Sequence, residues 1–216
     1  MKRFHIITLF PDMITSYVSD SILDRARKGG YVEVYTYNPR DYSTDKHRGV
    51  DDTPYGGGPG MVLSVQPLVD TVEHIYATHE LSRSDVHIII TSPGGTQFTN
   101  TYAQDSITHH DDIIIICGRY EGIDSRVRDM LMADEVSIGD YVLTGGELPA
   151  LVMIDAMVRR IKGVLGNYES LEEERISSHE MYTRPEVIEY YGKEYRVPEI
   201  LLSGNHKKIE EWREGK

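Results

Sequence analysis

The sequence predicts an α/β protein built on a parallel sheet covered by helices, and three observations carry that prediction. Residues 113–117 form a short, wholly apolar, mostly β-branched run, the mark of a strand buried on both faces. The first forty residues read strand, helix, strand, with a connection too long for a hairpin, so a right-handed crossover between parallel strands is the default. Gly-punctuated loops, 118–124 and 140–146, follow the 113–117 strand and a weaker one at 135–138. Loops at the ends of neighbouring buried strands are where open α/β sheets hold ligands.

Each element follows from local chemistry. Residues 4–10 (F-H-I-I-T-L-F) read as the first buried strand. Pro11 suits the first turn of a helix whose apolar stripe is Ile14, Tyr17, Val18, Ile22 and Leu23. Arg25, Arg27 and Lys28 lie near its end, and Gly29-Gly30 stops it. Residues 31–37 alternate as a second strand. Residues 38–61 are the longest irregular stretch, carrying Lys46-His47-Arg48 and Gly56-Gly57-Gly58-Pro59-Gly60. Disorder is one reading of such a segment. Its glycine density and basic cluster favour a functional loop whose backbone approaches a ligand closely. Neither a Gly-Lys-Ser/Thr phosphate loop nor a G-x-G-x-x-G fingerprint is present. Residues 64–79 read as a helix through Leu68, Val69, Val72, Ile75 and Tyr76, and 86–90 as a strand ending in a third loop, 91–95. Residues 98–109 read as a helix, with His109-His110 as a solvated helix end rather than metal ligands. Pro149 opens a long apolar helix, 150–161, with Arg159, Arg160 and Lys162 in its last turn and Gly163 closing it. The acidic, weakly patterned stretch that follows reads as a linker. The expected division is therefore a domain at 1–162, a linker at 163–181 and a small second domain at 182–216, ending in a helix through Trp212.

The totals narrow the class. With 216 residues, 39% hydrophobic and 27% charged, the chain holds one full domain and a small second one. No apolar run is long enough to span a membrane, and the N-terminus enters a strand at once, leaving no room for a signal peptide. The single cysteine, Cys117, sits in an apolar strand, where it reads as a small core residue suited to a reducing cytosol. No CxxC or HExxH spacing points to zinc. The net charge of −12 argues against a generic nucleic-acid binder and leaves only a local basic site open.

The ligand loops bring no phosphate-binding lysine. They offer glycines, backbone groups and the carboxylates Glu121, Asp124, Asp140 and Glu147. That lining suits hydroxyls, an amine or a cationic centre, as in a nucleoside-like ligand. The same carboxylates also read as solvated loop residues or helix caps.

Several segments together resemble the TrmD family, the bacterial tRNA (guanine-N1)-methyltransferases of the SPOUT class. They are D-K-H-R-G-V-D-D-T-P-Y-G-G-G-P-G-M, G-R-Y-E-G-I-D, S-I-G-D-Y-V-L-T-G-G-E-L-P-A, G-V-L-G, Y-T-R-P-E-V and L-L-S-G-N-H, in the family's order from Asp45 to His206. The resemblance implies a SPOUT-type sheet with a deep trefoil knot and a small, truncated helical C-terminal domain that binds tRNA. It implies a cytoplasmic homodimer with active sites at the subunit interface, using S-adenosyl-L-methionine to methylate N1 of guanine at tRNA position 37. It places the cofactor against Thr91, Ser92 and Pro93; Gly118, Tyr120, Glu121 and Gly122; Ser137, Ile138, Gly139, Asp140, Tyr141, Val142, Leu143, Gly145 and Gly146; and Pro149. It places tRNA contacts at Lys46, His47, Arg48, Pro59, Gly60, Met61, Asn205 and His206. Magnesium dependence is also implied, although the sequence shows no ligand signature for it.

Guanine N1 carries a proton, so the implied reaction needs a general base and a cation for charge developing on O6. Counting from G-V-L-G puts the cation at Arg159 and the base at Glu174, a glutamate where the family has aspartate, with Glu172 and Glu173 as neighbouring alternatives. An RNA- or cofactor-binding remnant, or a SPOUT methyltransferase for another RNA, are the competing readings.

Overall fold

The computed structural model describes residues 1–165 and 180–213, and the chain divides into two compact units, Met1–Leu165 and Gly166–Lys216. The first unit holds β1 (Lys2–Ile7), α1 (Pro11–Val18), α2 (Ser21–Lys28), β2 (Val32–Tyr37), β3 (Asp51–Asp52), β4 (Val62–Leu63), α3 (Val65–His79), β5 (Val86–Gln97), α4 (Asn100–His109), β6 (Asp112–Ile116), α5 (Arg126–Leu131), β7 (Asp134–Ser137) and α6 (Glu147–Val158). Five strands form one parallel sheet in the order β2-β1-β6-β5-β7. Central β6 explains the apolar run. Ile113 and Ile115 enter a core shared with α1, α2, α4 and α6, while Ile114 and Ile116 enter a second core with α3 and α5. With helices on both faces, neither side of the strand meets water, so no alternation is needed. Among the described residues no helix is long and apolar enough to cross a membrane.

Several elements differ from the expectation. The helix expected to run from Pro11 to Lys28 is two helices, because Asp20 turns extended and its carboxylate accepts a hydrogen bond from the Ser21 amide. Aspartate competes for backbone donors in this way and favours a cap over a helix interior. The irregular 38–61 stretch is tied down by a 3-10 turn at Pro39–Tyr42 and by the β3–β4 ladder. The 91–95 segment is an excursion inside β5 rather than its end. Both Thr91 and Thr96 register with Val136 of β7, and the intervening residues bow outward. A Cβ on Gly95 would run into the Glu135 backbone, so only glycine allows the strand to rejoin there. Helix α6 spans Glu147–Val158 and stops short of the expected Ile161, with Arg159 at its C-cap and Arg160 and Lys162 beyond it. The second unit is not purely helical. Among its described residues an antiparallel hairpin, β8 (Val187–Tyr190) and β9 (Lys193–Arg196), precedes α7 (Glu199–Leu202) and α8 (His206–Arg213). Tyr191 and Gly192 both take positive φ (50° and 69°), the two-residue turn whose twist matches a hairpin.

One buried polar network sits beneath the sheet. His5 is fully buried, stacks on Tyr35 and meets His79 edge-on. Its Nε2 lies 2.9 Å from Asp112, which also takes Arg3 at 2.7 Å, and Tyr37 lies between His5 and His79. Burial pushes the His5 imidazole below its usual pKa, against the pull of Asp112, and burial lowers His79 too. In the unfolded chain both titrate near 6.5. Below that pH the unfolded state takes up protons that the folded state refuses, so stability is full above about 6.5 and falls as pH drops toward the folded pKa values. Urea midpoints measured from pH 7.5 to 5.5 are expected to fall, and His5→Gln is expected to flatten that slope.

Candidate active site

The 91–95 excursion of β5 lies beside the C-terminal ends of β6 and β7, and with the loops leaving those two strands it encloses a cavity of about 330 Å³. Every residue that the sequence assigned to the cofactor lines it except Asp140, which is exposed outside the lining. The lining combines glycines and small polar residues with apolar side chains such as Ile138, Val142 and Leu143 and the rings of Tyr120 and Tyr141; Arg119 is its one cation, and Glu121 and Glu135 are its acidic residues. Tyr120 sits at φ 60°, a left-handed conformation that costs a non-glycine residue about 1–2 kcal/mol.

The three loops interlock through backbone. The Gly146 amide donates to the Gly118 carbonyl at 2.8 Å, and the Gly118 amide donates to Thr91 Oγ1 at 3.0 Å. This close approach leaves no room for a side chain. A Cβ on Gly146 would lie 2.6 Å from Gly118 N and 2.8 Å from Cys117 Cα. Gly146→Ala is therefore expected to push the 118–122 loop outward and weaken ligand binding in the cavity by about tenfold or more, since backbone has no rotamer with which to yield. Titration calorimetry with S-adenosyl-L-methionine, the ligand that the sequence resemblance implies, measures it.

The 55–61 loop is joined to the same wall. The Glu121 amide donates to the Met61 carbonyl at 3.0 Å, the Leu63 amide to the Gly122 carbonyl at 3.0 Å, and the Asp124 amide to the Leu63 carbonyl at 3.0 Å. Gly60 lies under the Glu121 side chain, where a Cβ would collide with its carboxylate. Pro59, Gly60 and Met61 thus border the mouth formed by Glu121, bringing two separately predicted regions together.

Two of the sequence-singled carboxylates are engaged with the protein. Glu147 is fully buried, pairs with Arg119 at 2.7 Å and accepts a hydrogen bond from Thr8 Oγ1 at 2.7 Å. It is a structural anchor at the α6 N-terminus, where a helix favours negative charge, and not a ligand group. Asp124 pairs with Arg126 at 2.7 Å, which holds its carboxyl below the usual range. Arg119 also donates to the Thr144 carbonyl at 3.1 Å and lies 4.3 Å over the Phe10 ring. Sequence reading missed this role because Thr8, Phe10, Arg119 and Glu147 are far apart in the chain.

The remaining candidates are scattered. Lys46 and His47 are exposed on a turn held by Asp45, whose carboxylate accepts from the His47 and Gly49 amides, while Arg48 pairs with Asp41. Asn205 uses its side-chain oxygen to cap α8, accepting from the Lys208 amide at 3.2 Å, and His206 is exposed at the start of that helix. Arg159, at the far end of α6, does not line the cavity. Twelve residues of helix separate it from Gly146 in the cavity wall, a span of ~18 Å. Glu174, with Glu172 and Glu173, lies outside the described residues. Among the described residues, no three His, Cys, Asp or Glu side chains are grouped to hold a metal.

A parallel α/β sheet with an interlocked loop cavity at its strand ends, joined to a second small unit, defines a ligand-binding α/β protein of the strand-end type. The chain belongs to the tRNA (Guanine-1)-methyltransferase TrmD family, whose family model matches residues 1–216. A tRNA (guanine-N(1)-)-methyltransferase of Clostridioides difficile strain 630 is 51% identical over 215 residues, spanning 98% of this chain and 90% of the relative. Its counterpart from Geobacter sulfurreducens is 47% identical, spanning 99% and 85%. That of Thermomicrobium roseum is 51% identical, spanning 98% and 77%.

Proposed function

We propose that the protein transfers a methyl group from S-adenosyl-L-methionine to N1 of guanine in tRNA, at position 37. What carries this reading is the seam between the 59–61 loop and the 118–122 loop, in a chain that belongs to the family throughout. The cavity fits the cofactor on chemistry. Apolar residues such as Ile138 and Leu143 suit a base, the glycines leave backbone groups open to a ribose, and Glu121 and Glu135 suit an amine and a cationic centre. When bound, the cofactor supplies a methyl group on a sulfonium, activated toward a nucleophile. The 91–93, 118–122 and 137–146 loops hold and orient it. Pro59, Gly60 and Met61 receive a flipped-out guanine by shape and stacking. Glu174 takes the proton from guanine N1, and the Arg159 guanidinium stabilises the negative charge developing on O6. Magnesium, which the resemblance implies, is ordinarily held by one or two carboxylates with waters and substrate; among the described residues no three His, Cys, Asp or Glu side chains are grouped to hold it alone.

The homodimer belongs to the same reading. Arg159 is a helix length from its own cavity, so a second copy is needed to bring that cation to the mouth. Leu148 and Val152 of α6 and Phe10, Met13 and Tyr17 beside them are exposed, although α6 is otherwise a core helix. Exposed apolar side chains on packed neighbouring helices are the expected footprint of a subunit interface. The trefoil knot that the family resemblance implies belongs to the same reading. We place the cofactor function in residues 1–162, the base in the 163–181 linker, tRNA binding in 182–216, and the enzyme in the cytoplasm.

Methyl transfer to unmodified tRNA transcripts bearing guanine or adenine at position 37 tests this. Guanine-dependent transfer should fall at least a hundredfold in Glu174→Gln and in Arg159→Ala. An active Glu174→Gln would move the base to Glu172 or Glu173. Absence of transfer by the wild type with cofactor bound would favour a binding remnant.

A further inference from the structure

The second unit projects a two-stranded hairpin whose faces are chemically sorted. The pairing Ile188↔Tyr195 and Tyr190↔Lys193 puts those four side chains on one face, and Val187↔Arg196 and Glu189↔Glu194 put theirs on the other. The first face is apolar and aromatic, with one cation and no carboxylate. Its members are open to solvent: Ile188 54%, Tyr190 62% and Tyr195 51%, with Tyr191 at the turn 90% exposed. The ammonium of Lys193 lies 5.1 Å over the Tyr195 ring, and Tyr190 and Tyr191 meet edge-on at 4.5 Å. The acids are kept on the opposite face, where Glu194 is tied to Arg196 at 2.6 Å. An isolated two-stranded hairpin is marginal in water, and leaving four large apolar groups exposed on it carries a cost without a partner.

We propose that the Ile188–Tyr190–Lys193–Tyr195 face, with Tyr191 at its tip, is a stacking platform for unpaired bases of the RNA substrate. This rests on the tRNA reading above and assigns a surface and a mode of contact to the second unit. Aromatic rings on a β surface take unpaired bases face to face, tolerate any base identity, and gain from an adjacent cation facing the phosphates. Confinement of the carboxylates to the other face gives this one the sign that a polyanion requires, on a protein of net charge −12. The occupant is unpaired rather than duplex RNA, because rings standing off a flat strand face have no stacked base pair to enter.

The test uses the full chain with S-adenosylhomocysteine and fluorescent unmodified tRNA. Tyr190→Ala/Tyr195→Ala is expected to weaken binding about tenfold or more, with the loss in KM for tRNA rather than in kcat, and the Tyr→Phe pair is expected to restore it. Lys193→Gln is expected to reduce the salt slope of log Kd by about one. A twelve-nucleotide unstructured RNA should compete for the wild type better than for the alanine pair, and an RNA duplex should not discriminate between them. Unchanged tRNA affinity in the alanine pair, with wild-type methylation intact, overturns the platform and leaves the enzyme reading standing. A shift in the monomer–dimer equilibrium without a change in tRNA affinity overturns it in favour of a protein interface. If the wild type neither binds nor methylates tRNA, both readings fall.

Discussion

Arg119→Ala is expected to lower the unfolding free energy by about 3–5 kcal/mol, because it strands a buried carboxylate. Glu147 is 1% exposed and its partner 17%, so water cannot take over the role of the guanidinium. Desolvating an unpaired carboxylate costs more than any exposed pair contributes. At about 2–4 °C per kcal/mol for a chain of this size, the melting temperature should fall by roughly 10 °C. The effect should reach the cofactor as well. Arg119 is the residue between Gly118 and Tyr120, and it fastens that wall of the cavity to Thr144 and to the start of α6. Arg119→Met combined with Glu147→Leu should recover most of the stability, since apolar replacement of both partners leaves no stranded charge. A single variant within about 1 kcal/mol of wild type would mean that the carboxylate finds another partner. Thermal melts and cofactor titration of the three proteins decide it.

The second large effect concerns Arg159. In the proposed dimer, Arg159→Ala and Gly146→Ala should each be strongly impaired as homodimers when cofactor is held below the weakened Kd of Gly146→Ala, one lacking the cation and the other an intact cavity. A heterodimer carrying one of each, purified through two tags, should recover about half of wild-type turnover, because twofold symmetry lets the intact cavity meet the intact Arg159 across the interface. If Arg159 served the cavity of its own protomer, each protomer would carry one lesion and the heterodimer would stay inactive. The ~18 Å of helix between Arg159 and the cavity wall is what makes the first outcome the expected one.

Much of this was legible in the chain. The 113–117 run announces a strand covered on both faces because neither side of β6 touches water. The glycine clusters mark the cavity walls because close backbone contacts exclude side chains, as at Gly146. The motif set identified the family, which the match over residues 1–216 supports. Local turn chemistry was also present and unread. Asp20 splits a helix, and Tyr191-Gly192 turns a hairpin. The proposed base, Glu174, lies outside the described residues.

The chain by itself determined the α/β class, the positions of the cavity loops and the residue types that line them, because burial pattern and glycine need are properties of neighbouring residues. The tertiary structure decided which charges remain free. Glu147 looks like a ligand carboxylate beside its glycines, yet Thr8, 139 residues away, and Arg119, 28 residues away, claim it. Such pairings leave no local pattern. They exist only because parallel strands distant in sequence end side by side, and burial there penalises any charge left without its partner.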